Sequence, residues 1–300
     1  MECEDSSLRS RRTSSNMTRP TSSSKSSRPN RPTSGQRHKS TPAENHPKSE
    51  PETRSETKTE VTEPTPYTGP PLAIHTTELG KSYGDAPALL PLDLQIAEGE
   101  RVSLIGHNGS GKTTLIRMLT GMLEPSQGTA TVAGHPIASL EARAAVSYLS
   151  DQPVFYDDLT VWEHLEYIAR LHGTDDWEQQ AVDLIDMLGL TPRADDLPTT
   201  FSRGLKQKAA IAMAFVRPFE LMLIDEPFVG LDRTGREALL ELFSLAHSDG
   251  AALVVATHEL SSVREGQRLI ALSGGEMTYD GSPGEADVNA LTEGIRLDEL

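Results

Sequence analysis

The chain has 300 residues, with 44 Asp and Glu against 28 Lys and Arg, a formal net charge of −16 and one cysteine, Cys3. That length permits one large domain or two small ones. A single thiol excludes an intrachain disulfide and a cysteine metal site, and no apolar run approaches the ~18 residues that suggest a membrane-spanning helix. The opening Met1-Glu-Cys-Glu-Asp-Ser-Ser7 lacks the apolar stretch of a secretory signal. A reducing cytoplasm fits this cysteine usage.

Residues 1–66 form a separate regime, rich in Ser, Thr, Pro and Arg, with apolar side chains only at Met1, Cys3, Leu8, Met17, Ala43 and Val61. Such a segment cannot bury enough apolar surface to offset its ordering entropy, so residues 1–70 are expected to be a disordered tail. Residues 1–66 carry 12 Lys/Arg and 9 Asp/Glu, a net +3, which leaves −19 for the rest of the −16 total. The excess is too small to make nucleic acid or acidic lipid the expected partner; a solvated tail accounts for it.

Residues 71–300 are expected to fold. Leu72–Leu79 and Leu92–Ile96 alternate as strands do, and Glu98-Gly-Glu100 turns the chain into a third strand at Val102–Ile105. There follows Gly106-His-Asn-Gly-Ser-Gly-Lys-Thr-Thr114, the pattern G-x-x-x-x-G-K-T between a strand and a helix. Glycines at 106, 109 and 111 allow dihedrals and close approaches that a Cβ would block. Successive N–H groups, with those of His107, Asn108 and Ser110 among them, then form a nest at a helix N-terminus, which suits phosphate. Lys112 is expected to reach the β- and γ-phosphates, and Thr113 to ligate Mg²⁺.

Short strands follow at Ala130–Ala133 and Val146–Leu149. From Thr160 the apolar period becomes helical. Thr160-Val-Trp-Glu163 reads as a capping box, Val161, Leu165, Ile168 and Ala169 share a face, and Gly173 closes the helix. A second helix is expected from about Asp175 to Leu188, within a helical insertion of about 157–215. Leu221–Ile224 and Ala252–Ala256 are wholly apolar runs that suit a sheet covered on both faces. A hairpin is expected from Arg268 to Asp280 about Gly274-Gly275. Residues 281–300 are expected to hold at most one short helix and no further domain.

Leu221–Ile224 ends in Asp225-Glu226-Pro227. A carboxylate at the C-terminal end of a strand beside a phosphate loop is placed to hold Mg²⁺, the role expected of Asp225. Glu226 would orient or deprotonate an attacking water.

These motifs identify residues 72–285 as resembling the ATP-binding subunit of an ABC transporter. Gly106–Thr114 matches Walker A and Leu221–Glu226 matches Walker B. Phe201-Ser-Arg-Gly-Leu205 resembles the Leu-Ser-Gly-Gly-Gln signature at Ser202 and Gly204 and departs from it at Arg203 and Leu205. The resemblance implies an α/β fold of the ABC type: a parallel-sheet core, an antiparallel β subdomain and an inserted helical subdomain. It implies ATP and Mg²⁺ as ligands. Ser202 and Gly204 would face the ATP of an opposing subunit, Asp232 would belong to the D-loop, His258 would meet the γ-phosphate, and Tyr83 would stack on adenine. The family's Q-loop glutamine falls at Asp151, so Asp151 becomes a candidate cation ligand, with Gln152 available only through a one-residue shift. Leu272-Ser-Gly-Gly-Glu276 also resembles the signature but is read as a hairpin turn. Glu226, His258 and Lys112 would be the catalytic set.

The implied activity is ATP hydrolysis by a homodimer or heterodimer that drives a separate membrane permease, with export favoured by the signature type. The subunit would lie on the cytoplasmic face of the membrane, with Phe155–Trp162 receiving the permease, and no nucleic acid is expected. The rival is a soluble ABC ATPase acting on nucleic acid or ribosomes.

Overall fold

The structure is a computed structural model that describes residues 71–258 and 267–293. The expected tail therefore lies outside the described residues. Every described residue belongs to the second of the two units into which the chain divides, Thr65–Leu300.

The first sheet is antiparallel. β1 (Leu72–Tyr83) and β2 (Ala86–Ala97) form a hairpin, joined by β4 (Gln127–Val132) and β5 (His135–Pro136) in the order β2-β1-β4-β5. Along β2 the buried Leu92, Leu94 and Ile96 alternate with exposed Asp93 and Gln95, the period-two pattern that fixes one face to the core. Both strands of the hairpin run beyond their alternating segments, since the tight turn at Gly84-Asp85 lets ladder pairing continue to Tyr83 and Ala86.

The second sheet has the order β10-β9-β3-β8-β7-β6. β3 (Arg101–Ile105), β6 (Val146–Leu149), β7 (Leu221–Asp225), β8 (Ala252–Ala256) and β9 (Arg268–Ser273) are mutually parallel; β10 (Glu276–Gly281) is the antiparallel edge. All five residues of β7 are buried, as an apolar run between two helical layers should be. α1 (Lys112–Leu119) follows β3, α2 (Leu140–Ala145) precedes β6, α6 (Arg233–Ser248) lies between β7 and β8, and α7 (Val288–Glu293) ends the described chain. α2 is too short for helical periodicity to show in the sequence.

Between β6 and β7 the chain forms α3 (Val161–Leu171), α4 (Trp177–Met187), two single 3₁₀ turns and α5 (Arg203–Phe215). Both bonds of the capping box are present: the Glu163 amide donates to Thr160 Oγ1 at 3.2 Å, and the Thr160 amide donates to Glu163 Oε2 at 2.8 Å. Such a cap stabilises a helix by about 1 kcal/mol. Val161, Leu165 and Ala169 meet Ala181, Leu184 and Ile185 in a core that continues beneath α5 to Met222 and Ile224 of β7. That shared core fixes where α5 begins relative to the ends of the parallel strands.

Candidate active site

Strand register gathers the motifs at one edge of the sheet. Ala256 of β8 pairs with Leu104 of β3 on one side and with Asp225 of β7 on the other. Leu149 of β6 pairs with Ile224. The loops leaving β3, β6, β7 and β8 therefore emerge level with one another, where open α/β sheets bind their ligands. Those loops carry Gly106–Gly111, Asp151, Glu226 and His258.

Gly106, Gly109 and Gly111 have φ of 148°, 84° and 108°. A Cβ on Gly106 would collide with the Leu272 carbonyl oxygen and lie 2.6 Å from Ser110 Oγ, while one on Gly111 would lie 2.9 Å from the Ala88 carbonyl oxygen. The loop thus packs backbone against backbone on two sides. Lys112, 7% exposed, turns back over it and donates to the carbonyls of Gly106 at 2.7 Å and His107 at 3.2 Å. Burial lowers its pKa, and the charges of Glu226 and Asp225 act in the opposite sense.

The Thr113 hydroxyl donates to Asp225 Oδ2 at 2.7 Å. Asp225 is 2% exposed, and burial raises its pKa; the Thr113 hydrogen bond lowers it in part, and the charges of Asp151 and Glu226 raise it. Glu226 adopts φ 48°, the left-handed region that a non-glycine residue enters only when its surroundings hold it there. Its amide donates to the Ala256 carbonyl at 2.9 Å, which anchors the turn to β8. The Glu226 Oε2 atom lies 2.8 Å from His258 Nδ1.

These groups surround a cavity of about 330 Å³ lined by Ala88, Asn108, Gly109, Ser110, Gly111, Lys112, Thr113, Thr114, Asp151, Asp225 and Glu226. Its features fit a phosphate chain with a divalent cation. Ser110 Oγ is buried there without a hydrogen-bond partner, and the Lys112 ammonium rests on carbonyls. Among the described residues no three His, Cys, Asp or Glu side chains form a metal cage of their own. The Thr113 hydroxyl and the Asp225 carboxylate are oxygen ligands of the kind Mg²⁺ takes together with substrate phosphates.

The family model for the ABC transporter matches residues 89–229. The SkfA peptide export ATP-binding protein SkfE of Bacillus subtilis is 34% identical over 67% of this chain and 86% of its own length. The chain belongs to the ABC transporter ATP-binding family. A solved ATP-binding subunit of an ABC transporter superposes with a TM-score of 0.69 at 31% identity, over 76% of this chain and 97% of that one. A dimeric ATP-binding cassette with ADP and Pi, in a post-hydrolysis state, gives 0.63 at 26% identity, over 70% and 98%. The chain spans 67% and 63% of two other bacterial ABC transporter ATP-binding proteins, and 9% or 10% of ATP-binding cassette sub-family A members. The fold is that of an ABC ATPase, and ATP is its nucleotide.

The other expected residues of this ABC ATPase lie outside the phosphate cavity. Ser202 caps α5, accepting from the Leu205 amide at 3.4 Å. Gly204 follows in the first turn of α5. A Cβ there would lie 2.5 Å from the Gly230 carbonyl oxygen, so the space is taken by the turn before α6. Gly204→Ala is expected to destabilise the fold by about 1–3 kcal/mol through overpacking. A chemical-denaturation midpoint equal to that of the parent would refute the close packing. Asp232 caps α6 through the Gly235 amide at 2.8 Å and pairs with Lys208 at 3.0 Å. The Gly235 bond, then Lys208, holds its pKa below the usual carboxylate range. Tyr83 is 58% exposed, with Lys81 Nζ 5.5 Å from the ring centroid.

Leu272–Glu276 is the tip of the β9–β10 hairpin, with Gly274 and Gly275 at φ 59° and 85°. The sequence gives no hint of the turn's second contact. The Gly275 amide donates to the Ser110 carbonyl at 3.1 Å, and its carbonyl accepts from the Leu90 amide at 2.8 Å. The turn therefore clamps the phosphate loop to β2.

A second cavity, of about 650 Å³, opens between the loop after β6 and the faces of α3 and α5, with Phe155, Ile168 and Met213 in its wall. Val154 and Met122, 88% and 70% exposed, also line it. Arg217 lies there too, a residue the sequence reading passed over. Its guanidinium donates to the carbonyls of Ala144, Val146 and Pro218, and burial lowers its pKa to about 10. Of the expected permease-facing stretch Phe155–Trp162, Phe155 lines this groove, whereas Trp162 packs on Trp177 with ring centroids 5.3 Å apart.

Proposed function

We propose that this ABC ATPase hydrolyses ATP to power a separate membrane permease, in the direction of export. The groove beside the phosphate cavity carries the reading, because an exposed apolar trough of that size suits a partner's helix. No described helix is long and apolar enough to cross a membrane, in keeping with a permease on another chain. The name of the SkfE relative supports export. The subunit would sit on the cytoplasmic face of the membrane, with residues 71–300 forming the cassette.

In this reading Lys112 and the loop amides hold the phosphate chain, and Tyr83 stacks on the base. Thr113 and Asp225 hold Mg²⁺, which when bound would offset phosphate charge in the transition state. Glu226 accepts a proton from water as the water oxygen bonds to the γ-phosphorus and the bridging oxygen leaves with ADP. His258 steadies Glu226 and the γ-phosphate from the end of β8. Ser202 and Gly204 at the start of α5, with Asp232 beside them, face the nucleotide of a second cassette. The solved cassette dimer supports the pairing of two cassettes.

The test is a mild-detergent pull-down of Glu226→Gln with ATP from native membranes. Recovery of a multi-span membrane protein is the expected result. Recovery of ribosomes or nucleic acid from the soluble fraction alone would replace the permease with the rival partner.

A further inference from the structure

The two residues that follow Ser150 part company. Asp151 lines the phosphate cavity together with Asp225 and Glu226, whereas Gln152 lines the groove on the other side of the loop. Gln152 is exposed and Asp151 half-buried. The side chains remain in contact: Gln152 Nε2 donates to Asp151 Oδ2 at 3.3 Å. The Ser150 hydroxyl holds the other carboxylate oxygen, Oδ1, at 3.4 Å. The side chain that enters the phosphate cavity is therefore the carboxylate of Asp151 and not the amide of Gln152.

That choice sets the charge of the site. Asp225, Glu226 and Asp151 face one cavity with Lys112 as its cation. Asp151 bears more strongly on Asp225 than does the adjacent Glu226. A phosphate chain entering without a metal ion meets three carboxylates, and one entering with it brings positive charge that offsets them. The buried, unpartnered Ser110 Oγ in the same cavity independently marks it as a ligand site.

We propose that Asp151, and not Gln152, acts on the nucleotide-bound cation, and that its carboxylate makes nucleotide binding depend on a divalent cation more steeply than an amide would. It repels cation-free nucleotide and attracts the cation once nucleotide is bound. Both effects increase the coupling free energy between cation and nucleotide. Asp151 is thus a residue that sets cation dependence. The inference rests on the nucleotide-site reading above.

The test uses the full chain and a non-hydrolysable ATP analogue, titrated calorimetrically in EDTA and in stepped MgCl₂. Asp151→Asn is expected to tighten binding in EDTA by about tenfold and to raise the half-saturating Mg²⁺ concentration by about tenfold. That is a modest share of what a unit charge exerts across a few ångströms at an effective dielectric of about 20. Gln152→Ala is expected to change both quantities far less, because it removes one exposed hydrogen bond to Asp151 and no charge. Equal EDTA affinities and equal Mg²⁺ midpoints in the parent and Asp151→Asn would overturn the proposal, as would the effect appearing in Gln152→Ala instead. A parent chain that binds no analogue in either buffer would overturn the nucleotide-site reading on which the proposal rests. Mn²⁺ binding followed by electron paramagnetic resonance gives a readout of the cation that needs no turnover.

Discussion

Lys112→Ala is expected to weaken ATP binding by roughly 100-fold, the loss of about 3 kcal/mol that a charged hydrogen-bonding partner can supply. The reason lies in how the lysine is held. Its stem is buried under the loop and its ammonium rests on the Gly106 and His107 carbonyls, so it is already where phosphate oxygens would arrive. Little side-chain entropy remains to be lost when phosphate enters. The alanine also removes the cation that offsets Asp225 and Glu226, so part of the loss is repulsion newly exposed. Equilibrium dialysis or calorimetry measures the affinity, and a melting curve separates it from unfolding. A folded variant that keeps the parent affinity would remove the phosphate-loop assignment.

Glu226→Gln is expected to lower turnover by about 10²–10⁴-fold, the range general-base catalysis commonly contributes. Glutamine keeps the shape of glutamate and can still meet His258 Nδ1, which lies 2.8 Å from Oε2. The backbone at φ 48° is held by the amide bond to Ala256, which the substitution leaves alone. Binding should therefore survive while proton acceptance is lost. The expected signature is unchanged ATP affinity with a dimer that persists in ATP on gel filtration. Parent-like ATPase in a folded Glu226→Gln chain would take the base role away from Glu226.

Much of the site is legible in the sequence, for identifiable reasons. The phosphate loop is local: its glycines, lysine and threonine act through the backbone of one turn, so their spacing carries the geometry. Asp225 is legible because it ends an apolar run, and strand ends are where parallel sheets place ligands. The capping box at Thr160 and Glu163 is likewise a matter of four consecutive residues. What stays hidden depends on distant backbone. Gly204 gives no sign that its missing Cβ makes room for the Gly230 carbonyl, and the clamp of Gly275 on Ser110 joins loops that share no motif. The division of Asp151 and Gln152 between two cavities follows from how β6 ends beside β7, which register decides and composition does not.

The phosphate loop is the earliest signature motif along the chain, yet its supports come late. β3, which launches it, is bordered by β8 and β9: Arg101 pairs with Leu253, and Val102 with Arg268. Contacts of such long sequence separation form slowly, because loop-closure entropy is lost before they can repay it. During synthesis, then, the loop leaves the ribosome well before β8 and β9 exist to flank it. A nascent chain should gain ATP binding only after the second half of the sheet has been made, even though the loop amides and Lys112 that hold the phosphate chain were made long before.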